Sequence, residues 1–231
     1  MSLSRNMWWA VLVMVCVMSA SARAQGSDTP APAVLQVANA TIPTRVLSES
    51  PADTVTELQI ICLFHSDSGN QLQGALVETN DKLHGLLGRI RTPDRFKGAL
   101  GETLLIAPPA GTLGAKRLLI IGLGDSQTFI PERMELVGSM AYAEANRLGV
   151  AHPFFAPTVI DGGVKKFTTG EVAEQFMYGF LRAADTEKQL MHDGESSGVS
   201  VHDLTYLAGA KFAAVTRDGI AKAFASLGTK P

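Results

Sequence analysis

Gly122-Leu123-Gly124 closes the apolar stretch Arg117-Leu118-Leu119-Ile120-Ile121 and stands ahead of a helix-like segment. In that context backbone N–H groups and a helix N-terminus can cradle a phosphate, so Gly122 and Gly124 are candidate ligand-binding residues. Gln127 occupies the place of a third fingerprint glycine, and Pro131 delays the helix while offering no N–H. A turn that needs small residues for close packing is the competing reading. Potential metal ligands are dense only at His192, Asp193, Glu195, His202 and Asp203, where no pair has the i, i+4 spacing of a helix-borne zinc site. An exposed loop, and no metal, is the expectation there. His65, His84 and His152 are isolated, and no Gly-x-Ser-x-Gly elbow occurs. Cys62 lies in the apolar run Leu58-Gln59-Ile60-Ile61-Cys62-Leu63-Phe64, which predicts a buried thiol acting as a small hydrophobe. These residues assign no catalytic group and no cofactor.

The beginning of the chain reads as an export signal. Arg5 precedes an apolar run from Met7 to Met18, and Ala22-Arg23-Ala24 places small residues where signal peptidase requires them. Residues 1–24 are thus expected to be removed, and residues 25–33, with Pro30 and Pro32, to form a flexible leader. The run is short for a permanent membrane anchor, so no membrane association is expected after cleavage. Val15 before Cys16 argues against a lipid attachment site. Losing Arg5 and Arg23 leaves 18 basic against 22 acidic residues, a formal charge of −4 that argues against a nucleic-acid partner. Only Cys62 of the two cysteines remains, so an internal disulfide is excluded even in an oxidising periplasmic or secreted setting.

Strand-like and helix-like segments alternate from Thr56 onward, the pattern of a sheet covered by helices on both faces. Residues 58–64 predict a central strand, and Leu72, Leu76, Leu83 and Leu87 predict one helix over 71–87. Strands are expected at 102–107 and 117–121, joined by Pro108-Pro109-Ala110-Gly111 in an antiparallel, hairpin-like connection. Pro131 should start a helix that runs to Gly149. Residues 154–160 read as a strand whose Pro153 and Pro157 favour an edge or irregular position. Thr168 and Glu171 have capping-box spacing ahead of a third helix. A strand within 199–207 and a final helix over 212–227 complete the reading, with 193–198 an exposed loop.

Phe96-Lys97-Gly98-Ala99-Leu100-Gly101-Glu102-Thr103-Leu104-Leu105, the strand at Ile60, the Ile-Gly-Leu-Gly strand end and the helix holding Tyr178-Gly179-Phe180 occur in the order seen in one family. From Val34 to Arg182 the chain resembles the N-terminal, non-catalytic domain of the leucyl aminopeptidase family, peptidase family M17. The resemblance implies an α/β, three-layer macro-domain-like fold with a mixed central sheet flanked by helices, and a single domain over 34–231. The family's two-metal catalytic signature has no counterpart here, so the resemblance carries over no activity. Macro domains wrap a diphosphate with a glycine-rich loop after an early strand, and the equivalent stretch is His65-Ser66-Asp67-Ser68-Gly69-Asn70-Gln71-Leu72-Gln73-Gly74. Gly69 and Gly74 join the candidate ligand-binding residues by that analogy, while Asp67 would repel phosphate.

The leading expectation is an exported, stand-alone, non-catalytic binding or assembly module that takes a protein partner or a second copy of itself. Two alternatives stand beside it: a macro-like nucleotide or ADP-ribose binding domain, and part of a metal-dependent aminopeptidase completed by a separate catalytic chain.

Overall fold

The computed structural model describes residues 34–37, 42–66, 71–92, 94–198 and 200–228. The expected signal peptide, the leader and Gly69 lie outside the described residues. Strands β3 (Gln59–Leu63) and β5 (Leu118–Gly122) are buried at every position, as continuous apolar runs require in a sheet covered on both faces. They pair in parallel inside a seven-stranded sheet of order β1-β2-β7-β6-β3-β5-β4, completed by β1 (Val34–Val37), β2 (Thr44–Leu47), β4 (Thr103–Ile106), β6 (Phe154–Ala156) and β7 (Leu204–Leu207). The five inner strands run parallel, and β1 and β4 are antiparallel at the edges. The short Pro and Gly link thus makes the antiparallel β4–β5 pair expected of it.

Successive strand residues point to opposite faces, and this alternation builds two cores. Ile60, Cys62, Leu119 and Ile121 pack with α3 (Arg133–Arg147), α4 (Thr169–His192) and α5 (Ala213–Gly228). Ile61, Leu63, Leu118 and Ile120 pack with the residues of α1 (Gly74–Lys82) and α2 (Leu86–Ile90). The result is the expected three-layer α/β architecture with a mixed sheet between helices. Cys62 is buried, and burial pushes its thiol far above the ordinary range, as an inert hydrophobe requires.

The single helix expected over 71–87 is two. His84 (φ 53°) and Gly85 (φ 80°) are left-handed, and Gly85 N–H donates to Asn80 O, so α1 ends and α2 begins anew. Leu76, Leu83 and Leu87 remain on one core because both short helices face the same side of the sheet. β6 stops at Ala156 and lies between β7 and β3 rather than at an edge. Its prolines bracket it instead. Pro153 O accepts from Thr205 N–H, and beyond Pro157 the Thr158 hydroxyl substitutes for ladder bonds, accepting from Cys62 N–H at 3.0 Å and donating to Cys62 O at 2.6 Å. α3 starts at Arg133, two residues after Pro131, and β1 and β2 are strands the sequence pattern did not announce.

Thr168 and Glu171 form the expected capping box. The Thr168 hydroxyl accepts from Glu171 N–H at 3.1 Å, and the Glu171 carboxylate accepts from Thr168 N–H at 2.8 Å. The Thr168 N–H and the Thr168 hydroxyl, which also donates to this carboxylate at 2.7 Å, hold Glu171 below the usual carboxylate range. Thr168→Ala is expected to cost about 1 kcal/mol. That should lower the melting midpoint by roughly 2–4 °C, read by differential scanning calorimetry; an unchanged midpoint would show that the box carries no stability.

Candidate functional site

The carboxyl ends of β2, β6 and β7 open into one cavity of about 380 Å³. Crevices outside the carboxyl ends of strands are where open α/β sheets place ligands, because the loops leaving the strands diverge there. Three such loops line this one: Ser48 to Pro51 after β2, Pro157 to Asp161 after β6, and Ala208 to Ala210 after β7. The first turn of α4, with Thr169 and Val172, and Phe212 and Thr216 near the start of α5 close the other side. Ala75 and Glu78 of α1 complete it.

Glu49, Glu78 and Asp161 are the charged residues of this lining, and no Lys, Arg or His is among the described residues that form it. Ser50 donates to Glu78 at 2.6 Å, joining the β2 loop to α1. Asp161 caps α1: its carboxylate accepts from Ala75 N–H, and its carbonyl accepts from Gln73 N–H at 2.9 Å. Burial pushes the Asp161 carboxyl up, the Ala75 bond pulls it down, and the nearby Glu78 charge pushes it up again. The net shift is upward.

The same cavity gathers unsatisfied hydroxyls. Ser48 Oγ, Thr169 Oγ1, Tyr206 Oη and Thr216 Oγ1 all belong to lining residues, are withdrawn from solvent, and have no hydrogen-bond partner among the described residues. A buried hydroxyl left without a partner costs about 1–3 kcal/mol, so four around one cavity is a concentration of uncompensated polarity. Tyr206 also stacks edge-on against Phe155 and Phe176, and burial raises its phenol well above the ordinary value, so it stays protonated.

Of the residues singled out by sequence, Gly74 adjoins this cavity. Its φ is 49°, and a Cβ there would stand 2.3 Å from Asp161 Oδ1. Gly122 and Gly124 do not line it. Their strand end uses its amides locally: Gly122 N–H donates to Glu102 O at 2.7 Å, Leu123 N–H to Leu63 O at 2.9 Å, and Gly124 N–H to Gly98 O at 2.8 Å. The His192, Asp193 and Glu195 group sits at the end of α4, whereas His202 and Asp203 precede β7. Asp203 instead meets His152, with Oδ2 2.7 Å from Nδ1, and among the described residues no group of three His, Cys, Asp or Glu could hold a metal ion. Sequence reading passed over Glu49, Glu78, Asp161, Tyr206 and Thr216, which lie far apart along the chain and share no motif. The one signal that could have found them is the strand order, since each follows, ends or faces a parallel strand.

Residues 60–193 match the sequence profile of the N-terminal domain of the cytosol aminopeptidase family. A probable cytosol aminopeptidase of Caulobacter vibrioides is 31% identical over 100 residues, 43% of this chain and 20% of that protein. Among solved structures, a tomato leucine aminopeptidase variant superposes with a TM-score of 0.59 at 18% identity, covering 80% of this chain and 37% of that one. A Trypanosoma brucei macrodomain in complex with ADP-ribose superposes with a TM-score of 0.52 at 14% identity, covering 78% and 68%. The chain thus spans a fifth of the curated relative and little more than a third of the tomato enzyme.

Proposed function

The chain belongs to the cytosol aminopeptidase family through its N-terminal domain, and from that premise we propose that it works as an exported, non-catalytic binding module whose ligand occupies the cavity at the carboxyl ends of β2, β6 and β7. The observation that carries this reading is the cavity itself: about 380 Å³, within the range of small-molecule sites, at the edge where such sheets bind ligands, with four lining residues whose buried hydroxyls have no partner among the described residues. Export is supported by Arg5, the apolar run and Ala22-Arg23-Ala24. A secreted or periplasmic form beginning at Gln25, read by N-terminal sequencing, is the expected product. A small-molecule library screened by two-dimensional NMR should move the amide signals of Thr169, Tyr206 and Thr216. A library that moves none of them would remove the binding reading, and hydrolysis of a leucine anilide by the purified chain with manganese or zinc would remove the non-catalytic one.

An assembly role shares this reading. Leu100 and Leu136 are 42% and 44% exposed, and Gly101 beside them approaches the Leu136 side chain, so an apolar patch is available to a catalytic chain or a second copy. Light scattering that gives a monomer at high concentration would exclude the second copy.

The nucleotide reading draws on the fold shared with a macrodomain that holds ADP-ribose. The lining works against it, because each carboxylate about 4 Å from a phosphate charge would repel it by roughly 4 kcal/mol at a near-surface dielectric. ADP-ribose at about 1 mM is therefore expected to leave the melting midpoint unchanged. A ligand at ~100 times its Kd would add about 2.7 kcal/mol. A rise of roughly 5–10 °C would reinstate the nucleotide reading.

A further inference from the structure

We propose that the cavity at the carboxyl ends of β2, β6 and β7 recognises an apolar primary amine, its ammonium group held by carboxylates and hydroxyls and its carbon body held against aromatic and aliphatic walls. This rests on the binding-module reading and names the ligand's chemistry. Two independent observations carry it.

The first is charge. Glu49, Glu78 and Asp161 contribute three carboxylates, and no cationic residue is among the described lining residues. The helix N-termini beside the cavity are already engaged, and two lysines stand over lining aromatic rings without belonging to the lining. The α4 N-terminus is closed by its own capping box, with the Glu171 carboxylate on Thr168 N–H, and the α1 N-terminus donates Ala75 N–H to Asp161. Lys166 and Lys211 adjoin the lining residues Phe167 and Phe212, with Nζ 4.9 and 4.7 Å from the ring centroids. The lining therefore offers acceptors in excess and suits a head group that only donates. An ammonium carries three donors and no acceptor.

The second observation is the hydroxyls. Tyr206 is 1% exposed and Thr216 fully buried, both line the cavity, and neither hydroxyl has a partner among the described residues. With Ser48 and Thr169 they leave unused lone pairs at the cavity wall, which favour a donor-rich head group over an anion set beside three like charges. Phe167, Val172, Leu207 and Phe212 give the apolar wall that a simple polyamine would leave unused.

The test compares three probes of one length on the purified full chain at pH 7: n-hexylamine, 1-hexanol and hexanoate, followed by titration of the Tyr206 and Thr216 amide signals. Hexylamine is expected to bind at least tenfold more tightly than hexanol, hexanoate not to bind, and the preference to shrink in 0.5 M salt. Hexanol equal to hexylamine, or hexanoate ahead of both, overturns the amine assignment while leaving a small-ligand site in place. Three probes without effect on those signals overturn the amine assignment, while the library screen decides the binding-module reading separately. In the doubly substituted Glu49→Gln, Glu78→Gln chain, checked for the native circular dichroism spectrum, hexylamine should fall to the affinity of hexanol; a retained preference would show that these carboxylates do not read the charge. Thr216→Val should weaken hexylamine several-fold, and unchanged affinity would take the buried hydroxyl out of the site.

Discussion

Gly179→Ala is expected to cost about 3 kcal/mol or more, at or above the upper end of ordinary overpacking, and to lower the melting midpoint by roughly 6–12 °C. α3 and α4 cross in backbone contact at this residue. A Cβ on Gly179 would lie 1.8 Å from Glu135 O and 2.6 Å from its carbonyl carbon, and one on the facing Gly138 would lie 2.0 Å from Phe176 O. No flexible side chain stands in the way to be displaced, so relief requires moving one helix off the other. That movement carries Phe176 away from Phe155, against which it stacks at 3.8 Å, and away from Tyr206. Alanine's better helix propensity returns only about 1 kcal/mol. Gly88→Ala in α2 is the control, since the nearest atom to a Cβ there is 3.9 Å away, and it should be neutral or slightly stabilising. Thermal and urea unfolding of both variants decides the matter: Gly179→Ala melting within a degree of the parent would mean that the crossing tolerates a methyl group.

What the sequence disclosed and what it hid follow from how local each signal is. β3 and β5 were legible because a strand buried on both faces is nearly continuous in apolar residues, and Leu58 to Phe64, interrupted only by the hydrogen-bonded Gln59, and Leu118 to Ile121 satisfy that. The α4 start was legible because Thr168 and Glu171 satisfy each other's backbone donors within one turn. β1 and β2 were not, since VLQV and TRVL are four residues long and draw their partners from each other and from β7 at the far end of the chain. The break at His84 and Gly85 was masked by leucines that keep their period across it. The prolines of β6 pointed to an edge or an irregular position because proline cannot donate to a ladder; the strand is interior and irregular, and Thr158 supplies with its side chain what Pro157 lacks. The cavity was the least legible part. Its residues run from Ser48 to Thr216, and only the parallel order of β2, β7 and β6 brings them to one edge.

Gly122→Ala separates the packing role of the Gly122-Leu123-Gly124 turn from a phosphate-binding one. A Cβ on Gly122 would stand 2.0 Å from Ala99 O, 2.7 Å from Gly98 C and 2.9 Å from Gly98 O, all of them backbone. The Gly98 turn cannot retreat freely, because Gly98 itself has φ 76° and a Cβ there would meet Phe64 O at 2.6 Å. Gly101 N–H donates to Gly122 O at 3.0 Å and Gly122 N–H returns to Glu102 O, so lifting the turn also unpairs the entry into β4. A loss of about 3 kcal/mol or more follows from the overpacking and the broken pair together. Gly122 does not line the cavity, so the folded fraction should bind hexylamine with unchanged affinity. Were the turn a phosphate cradle kept small for its ligand, the opposite pattern would appear: a nearly unchanged midpoint, and loss of whatever phosphate-bearing compound the parent binds. Calorimetric melting paired with ligand titration on the same preparation reads both quantities, and a midpoint within about 2 °C of the parent would end the packing account of this turn.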